Sequence, residues 1–135
     1  MKNYKTNNIN DRFKFRVFDY DDNKMHDVIE IMYREDNTVV EWLNSEDKKR
    51  SAFIGEVPTV QCTGLKDKNG KLIYEGDIVK QNYNQYIIEG CIGGFHCINT
   101  NTKSSYQFYV LSKEHIEVIG NIYENKELLN EYNHI

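Results

Sequence analysis

Cysteine, apolar runs and surplus positive charge are all scarce in this chain of 135 residues. Only Cys62, Cys91 and Cys97 occur, an odd set with no Cys-x-x-Cys pair. A small secreted scaffold stapled by disulfides carries an even and denser set, so the thiols are expected to be reduced. The stretch Met1-Lys2-Asn3-Tyr4-Lys5-Thr6-Asn7-Asn8 lacks the apolar segment that a secretory signal needs. No run of apolar residues is long enough to span a bilayer. Lys and Arg number 17 against 21 Asp and Glu, a net charge of −4. That balance argues against unselective binding to a phosphate backbone or an anionic lipid surface, although a local basic patch is compatible with it. The expected setting is the cytoplasm of the host cell, with no membrane partner.

What is present favours strands. Tyrosine occurs 10 times and proline once, at Pro58, and aromatic and β-branched residues suit a pleated, half-buried surface. The length is that of one domain, long enough to bury roughly two-thirds of its surface on folding. Residues 1–11 read as a loosely held polar arm. Phe13, Phe15 and Val17 alternate with Lys14 and Arg16, the period of a half-buried strand. Asp19-Tyr20-Asp21-Asp22-Asn23 supplies turn residues, after which Met25 to Val28 can return antiparallel. Ile29 to Tyr33 and Thr38 to Trp42 flank Glu35-Asp36-Asn37 as a further hairpin, so 12–43 is expected to be a β-meander. Residues 44–58 read as a charged connector. Lys48-Lys49-Arg50 within it is taken as a solvated loop rather than a phosphate contact, because Glu46 and Asp47 adjoin it. Pro58 then opens a strand from Thr59 to Cys62.

The chain is organised around residues 62–80. Asp67-Lys68-Asn69-Gly70 is a turn: Asp can bond the backbone two residues on, Asn tolerates the left-handed region, and Gly supplies a positive φ. Leu65 and Leu72-Ile73 should therefore face each other as arms of a hairpin. A second break at Glu75-Gly76-Asp77 precedes Ile78-Val79, and two such reversals so close together suit the bent strands of a small barrel. Beyond it, Ile78 to Gln81 and Tyr86 to Ile92 form a hairpin across Asn82-Tyr83-Asn84, and Gly93-Gly94 makes the next turn. Phe95 to Ile98, a turn at Asn99-Thr100-Asn101-Thr102, and Tyr106 to Leu111 continue up and down. Ile116 to Tyr123 closes the barrel. Asn125 can then cap a short helix over 125–131, with Leu128-Leu129 packing back onto the sheet.

The stretch Thr63 to Val79 resembles the signature block of the YopX family, proteins of phages and prophages in Gram-positive bacteria. The signature residues are Gly64, Asp67, Asn69, Gly70, Glu75, Gly76 and Asp77. Phe13-Lys14-Phe15-Arg16-Val17-Phe18-Asp19 with Lys24-Met25 resembles the family's N-terminal segment. Val118 to Asn125, before Leu128-Leu129, resembles its C-terminal end. The resemblance spans roughly residues 12 to 130. It departs at Lys126, where the family often has proline, which bears on a helix start and not on a site. It implies a mainly β protein containing an SH3-like barrel, over 59–123 here, in a family of unknown function with no catalytic residue to carry over.

The chemistry-bearing residues read as structure. Asp67, Glu75 and Asp77 can hold a hard cation or do acid–base work, but the spacing does not match an EF-hand loop and turn roles account for them. Adjacent His96 and Cys97 point to opposite faces of a strand, so they do not join Cys91 around one metal ion. Cys97 is expected in the core. His26, His115 and His134 are scattered, with no spacing that suggests a nucleophile and base. No Gly-rich loop before a helix provides a nucleotide site. No catalytic, metal or cofactor residues are therefore assigned. Tyr74, Tyr83, Tyr86, Tyr106 and Tyr109, with Phe108, form a candidate binding face, since exposed aromatics on barrels stack on bases or grip peptides. The expectation is a non-catalytic protein-interaction or self-assembling module, partnered by a second copy or by another phage or host protein. The competing reading is a nucleic-acid binder acting through that face.

Overall fold

The computed structural model describes residues 9–108 and 114–130. A 3-10 helix at Ile9–Phe13 leads into β1 (Phe15–Asp19), β2 (Lys24–Tyr33), β3 (Thr38–Leu43) and β4 (Lys49–Phe53). Then come β5 (Thr59–Lys66), β6 (Leu72–Tyr74), β7 (Asp77–Gln81), β8 (Asn84–Cys91) and β9 (Gly94–Asn99). The chain ends with β10 (Ser105–Gln107), β11 (Ile116–Asn121) and a five-residue helix, α1 (Lys126–Asn130). No helix among the described residues is long and apolar enough to cross a membrane.

The strands form two antiparallel sheets, ordered β4-β3-β2-β1-β5-β6 and β10-β9-β8-β7-β11. The closed barrel expected over 59–123 is corrected by this order, because no ladder joins the ends of either sheet among the described residues. β5 and β6 instead belong with the N-terminal meander, through Phe15↔Gln61, Arg16↔Val60 and Val17↔Thr59. The cause lies in β1. Val17 enters one core cluster with Val40 and Trp42, while Phe18 enters another with Met25, Val60, Cys62 and Tyr74. A strand with apolar residues on both faces is a central strand and needs a neighbour on each edge. A third cluster lies under the five-stranded sheet, built on Ile73, Val79, Ile88, Cys97, Phe108 and Ile116.

The two Gly-based turns form as the sequence requires. Asp67 Oδ1 accepts from the amides of Asn69 and Lys71, both at 2.9 Å, and Gly70 takes φ of +82°. Lys66 then pairs with Leu72 and Cys62 with Tyr74. Gly76, at φ of +88°, ends β6 and starts β7. The same Asp67 reaches beyond its hairpin: Oδ2 accepts from Val118 N at 2.9 Å, tying the turn to β11. Lys68 N donates to Ile116 O nearby, and at the far end Ile122 N donates to Gly76 O. These bonds hold the edge of one sheet to the edge of the other.

Other expectations need revising. Residues 9–11 are not a loose arm: Asp11 is buried and ion-paired to Lys14 at 2.9 Å, and Gln61 Nε2 holds Arg12 O. Phe13 sits in the 3-10 turn and is 70% exposed, so it does not share the alternation of β1. The 44–58 connector contains β4, in which Arg50 and Ala52 are half-buried while Lys49, Ser51 and Phe53 face out. Asn125 does not cap α1 with its side chain, because its Oδ1 accepts from Asn121 N. Leu111, and Tyr109 with the rest of the expected strand end, lie outside the described residues.

Although burial pushes the Asp67 carboxyl up, the amides of Val118, Lys71 and Asn69 together hold it below its ordinary 3.8. A carboxylate lowered on folding adds stability above its unfolded pKa and loses it as pH falls through the folded value. Asp67→Ala is expected to destabilise the chain by roughly 2–4 kcal/mol in urea unfolding at pH 7, with the difference shrinking below about pH 4. Gly70→Ala is expected to cost about 1 kcal/mol, because only φ opposes it. Gly76→Ala should cost more, since a Cβ there would also lie 3.1 Å from Tyr123 Cε2; thermal unfolding of the pair checks the order.

Candidate functional site

The structure separates the aromatic residues that the sequence grouped. Tyr74 is buried in the cluster that Phe18, Met25, Val60 and Cys62 form on the six-stranded sheet, with the Arg16 guanidinium 5.5 Å from its ring centre. Burial, helped by the nearby Cys62, Asp27 and Asp77 and opposed by Arg16, pushes its phenol up to about 12. Tyr86 is buried under the five-stranded sheet, edge-on to Tyr106 at 6.4 Å. Tyr106 is 43% exposed, and Tyr83 projects from the β7–β8 turn almost wholly into solvent. Tyr86 and Tyr106 are thus brought together, while Tyr74 and Tyr83 are not part of the same surface. Tyr109 lies outside the described residues.

A cleft of about 700 Å³ opens where the two sheet edges meet. Its floor is the face of β1 and β2, with Lys14, Arg16 and Asp27. One wall is the β5–β6 hairpin, with Lys66, Gly70, Lys71 and Leu72, and Tyr74 and Asp77 lie deeper. The other wall is Val118 to Asn121 with Glu124 and Asn125. The bonds Lys68–Ile116 and Gly76–Ile122 pin its two ends. Bending at Gly70 and Gly76 sets this shape, since each reverses the chain beside the opening.

Most charges in the cleft already have partners. Lys14 pairs with Asp11, and Arg16 Nε lies 3.3 Å from Asp27 Oδ1, near enough for an ion pair but out of line for a hydrogen bond. Glu124 accepts from Met25 N and Asn121 Nδ2. Lys66 and Lys71 form no salt bridge among the described residues, and both are exposed at the rim. Asp77 accepts one bond, from Tyr74 N at 2.8 Å. Burial raises its carboxyl to about 7, and that bond with the positive Arg16 and Lys71 only partly offsets the effect. A buried carboxyl that exchanges its proton near neutrality can accept or donate a hydrogen bond to a ligand. Sequence reasoning assigned Asp77 to the strand start and missed the cleft. The one local signal was an acid placed between Gly76 and the buried pair Ile78-Val79.

Two other constellations form only in three dimensions. On the outer face of β8, β9 and β10, His96 bonds Ser105 Oγ through Nδ1 and Glu89 Oε1 through Nε2, both at 2.9 Å. This is the order of a hydrolase triad, but it lies on an exposed sheet face. The three side chains link β8, β9 and β10 across the sheet. Asp19, Asp22 and His26 present ligand atoms within 4.8 Å of one another. Their oxygens are engaged by Trp42 Nε1, Asp21 N, Lys24 N and Ser45, which fasten the β1–β2 turn to β3 and the loop after it. Cys62 and Cys97 are buried, with thiols pushed up by burial, which disfavours the reactive thiolate.

Asp77 gives this region a pH signature. Its pKa is about 7 folded and 3.8 ordinarily, so its ionisation favours the unfolded chain between these values. That opposes folding by up to about 4 kcal/mol once pH passes 7. Asp77→Asn keeps an oxygen for Tyr74 N and removes the titration. The variant is expected to gain stability relative to the parent between pH 4 and pH 8, read from urea unfolding at each pH.

Comparison with known proteins gives a consistent neighbourhood. The family described as YopX protein matches residues 14–130. Protein EF1440 from Enterococcus faecalis shares the fold with a TM-score of 0.57 and 26% identity, covering 86% of this chain and 96% of its own. Protein yopX from Bacillus subtilis has a TM-score of 0.60 over 87% of this chain and 98% of its own; at 20% identity it speaks for the fold alone. No curated protein matches the chain.

Proposed function

The chain belongs to the YopX family, and from that premise we propose a non-catalytic interaction module that pairs with a second copy of itself through β4. The observation that carries the reading is the open edge of this strand. β4 ends the six-stranded sheet, and Ile54 N donates to Thr38 O. By the alternation of an antiparallel ladder, the amides of Ala52 and Arg50 then face β3 while those of Ser51 and Phe53 face out. Glu56 takes both outward groups of Phe53, its Oε1 accepting from the amide and its N donating to the carbonyl, which leaves the outward groups of Ser51 and Lys49 as the free edge of β4. Beside it, Phe53 and Met32 both lie opposite Val39 and form an apolar row on the sheet's outer face. Antiparallel pairing about Ser51 would set each Lys49 against the other copy's Phe53 and extend this row across both chains. An open edge and an apolar row favour contacts between chains. The proposed setting is the cytoplasm of a host cell carrying the phage or prophage, where another phage or host protein could supply the added strand.

Nucleic-acid binding has less support, because Tyr74 and Tyr86 are interior and Tyr83 makes no ring contact with another aromatic among the described residues. Saturable, salt-sensitive binding of single-stranded DNA that is lost in Tyr83→Ala would favour that alternative.

Sedimentation velocity over a range of concentrations tests the pairing. The parent is expected to form dimers. Ser51→Pro removes an outward amide without breaking the ladder to β3 and should weaken association at least about tenfold. A parent that stays monomeric at high concentration, or a Ser51→Pro variant that dimerises as well as the parent, would end the proposal.

A further inference from the structure

We propose that the cleft between β6 and β11 is a binding site for a small polar molecule carrying an oxyanion, a phosphate or a carboxylate. The volume, about 700 Å³, falls within the range of small-molecule sites and exceeds what a bare ion needs. The site also lies where two sheets meet, held open between pinned ends, rather than on a flat face.

The charge pattern selects the ligand. Asp11 and Asp27 each have a cationic neighbour, in Lys14 and Arg16, and Glu124 accepts two donors. Lys66 and Lys71 are the cations lining the cleft that lack salt bridges among the described residues. They stand close together across the β5–β6 turn, since Lys66 pairs with Leu72. Two ammonium groups thus stand at the rim outside any salt bridge, with Lys71 also within electrostatic reach of Asp67 and Asp77. Arg16 continues that charge inward: its guanidinium lies over Tyr74, its ion-pair partner Asp27 is 80% exposed, and its charge also reaches Asp77. A planar guanidinium and two ammonium groups lining one cleft suit an oxyanion, which can take a forked pair of hydrogen bonds from the arginine. Asp77 gives the site selectivity. In its protonated form it donates to a ligand oxygen, and in its ionised form it repels an anion that reaches too deep. The ligand thus places its oxyanion at the lysine rim and a neutral hydroxyl or carbonyl toward Asp77.

Amide chemical-shift titration of the full chain tests this, with inorganic phosphate, acetate and ribose 5-phosphate as probes at ionic strength held constant with chloride. Saturable shifts at amides of 66–72 and 118–121 are expected for at least one probe. Saturation by phosphate and ribose 5-phosphate would identify the oxyanion as a phosphate, and saturation by acetate alone as a carboxylate; either supports the site. The double variant Lys66→Gln, Lys71→Gln changes only exposed side chains and is expected to bind at least about tenfold more weakly with an unchanged fold. Arg16→Met should weaken binding further, with the double variant as the safeguard should it fold poorly. Shifts that stay linear in concentration for all three probes, or saturation unaltered in the double variant, would overturn the proposal.

Discussion

A single carboxylate, Asp67, holds the architecture to its shape. It accepts two amides of its own turn, from Asn69 and Lys71, and a third from Val118 in β11. The first two close a hairpin that any Asp-x-Asn-Gly sequence would favour. The third fastens the end of one sheet to the edge of the other, fifty-one residues away. A carboxylate with three amide donors is satisfied as an anion despite its burial, so the joint is rigid and polar rather than a slippable apolar contact. The cleft lies beside that joint, between the β5–β6 hairpin and β11.

Asp77 lies only ten positions on and behaves in the opposite way. It has the same side chain and is also buried, but it accepts one amide where Asp67 accepts three. Burial dominates, and the group holds its proton near neutrality. The first acid is used up by structure; the second keeps capacity for a ligand. Type of residue did not distinguish them. The number of donors aimed at each one did, and one of those donors, Val118 N, depends on where β11 comes to rest.

Several features could be read from the chain directly. The turn at Asp67 to Gly70, the break at Gly76, the hairpins of the first forty residues and the placement of Cys97 in the core are all local. Each depends on side-chain alternation or on a residue's own φ and its nearest hydrogen bonds. The errors have a common cause. The expected barrel followed from counting closely spaced strands in order, whereas β1 pairs with β5 across some forty intervening residues. β4 reads as a solvated loop in the sequence because the adjoining charges mask the alternation of Arg50 and Ala52 with Lys49, Ser51 and Phe53. Asn125 matched a cap pattern but found a nearer donor in Asn121 N. The tyrosines gave no warning of their burial, since an aromatic suits a strand equally well on either face.

By itself the sequence determined that this is an antiparallel strand protein, where its tight reversals fall and which family signature it carries. Those properties are written in alternation, in glycine at positive φ and in Asp and Asn beside amides a few residues away. Only the tertiary structure decided that the strands make two open sheets, that Tyr74 and Tyr86 face inward, and that Arg16, Lys71 and Asp77 share a cleft. Such outcomes are set by pairings between distant segments, and the free energy of each depends on what both faces of a strand can bury at once.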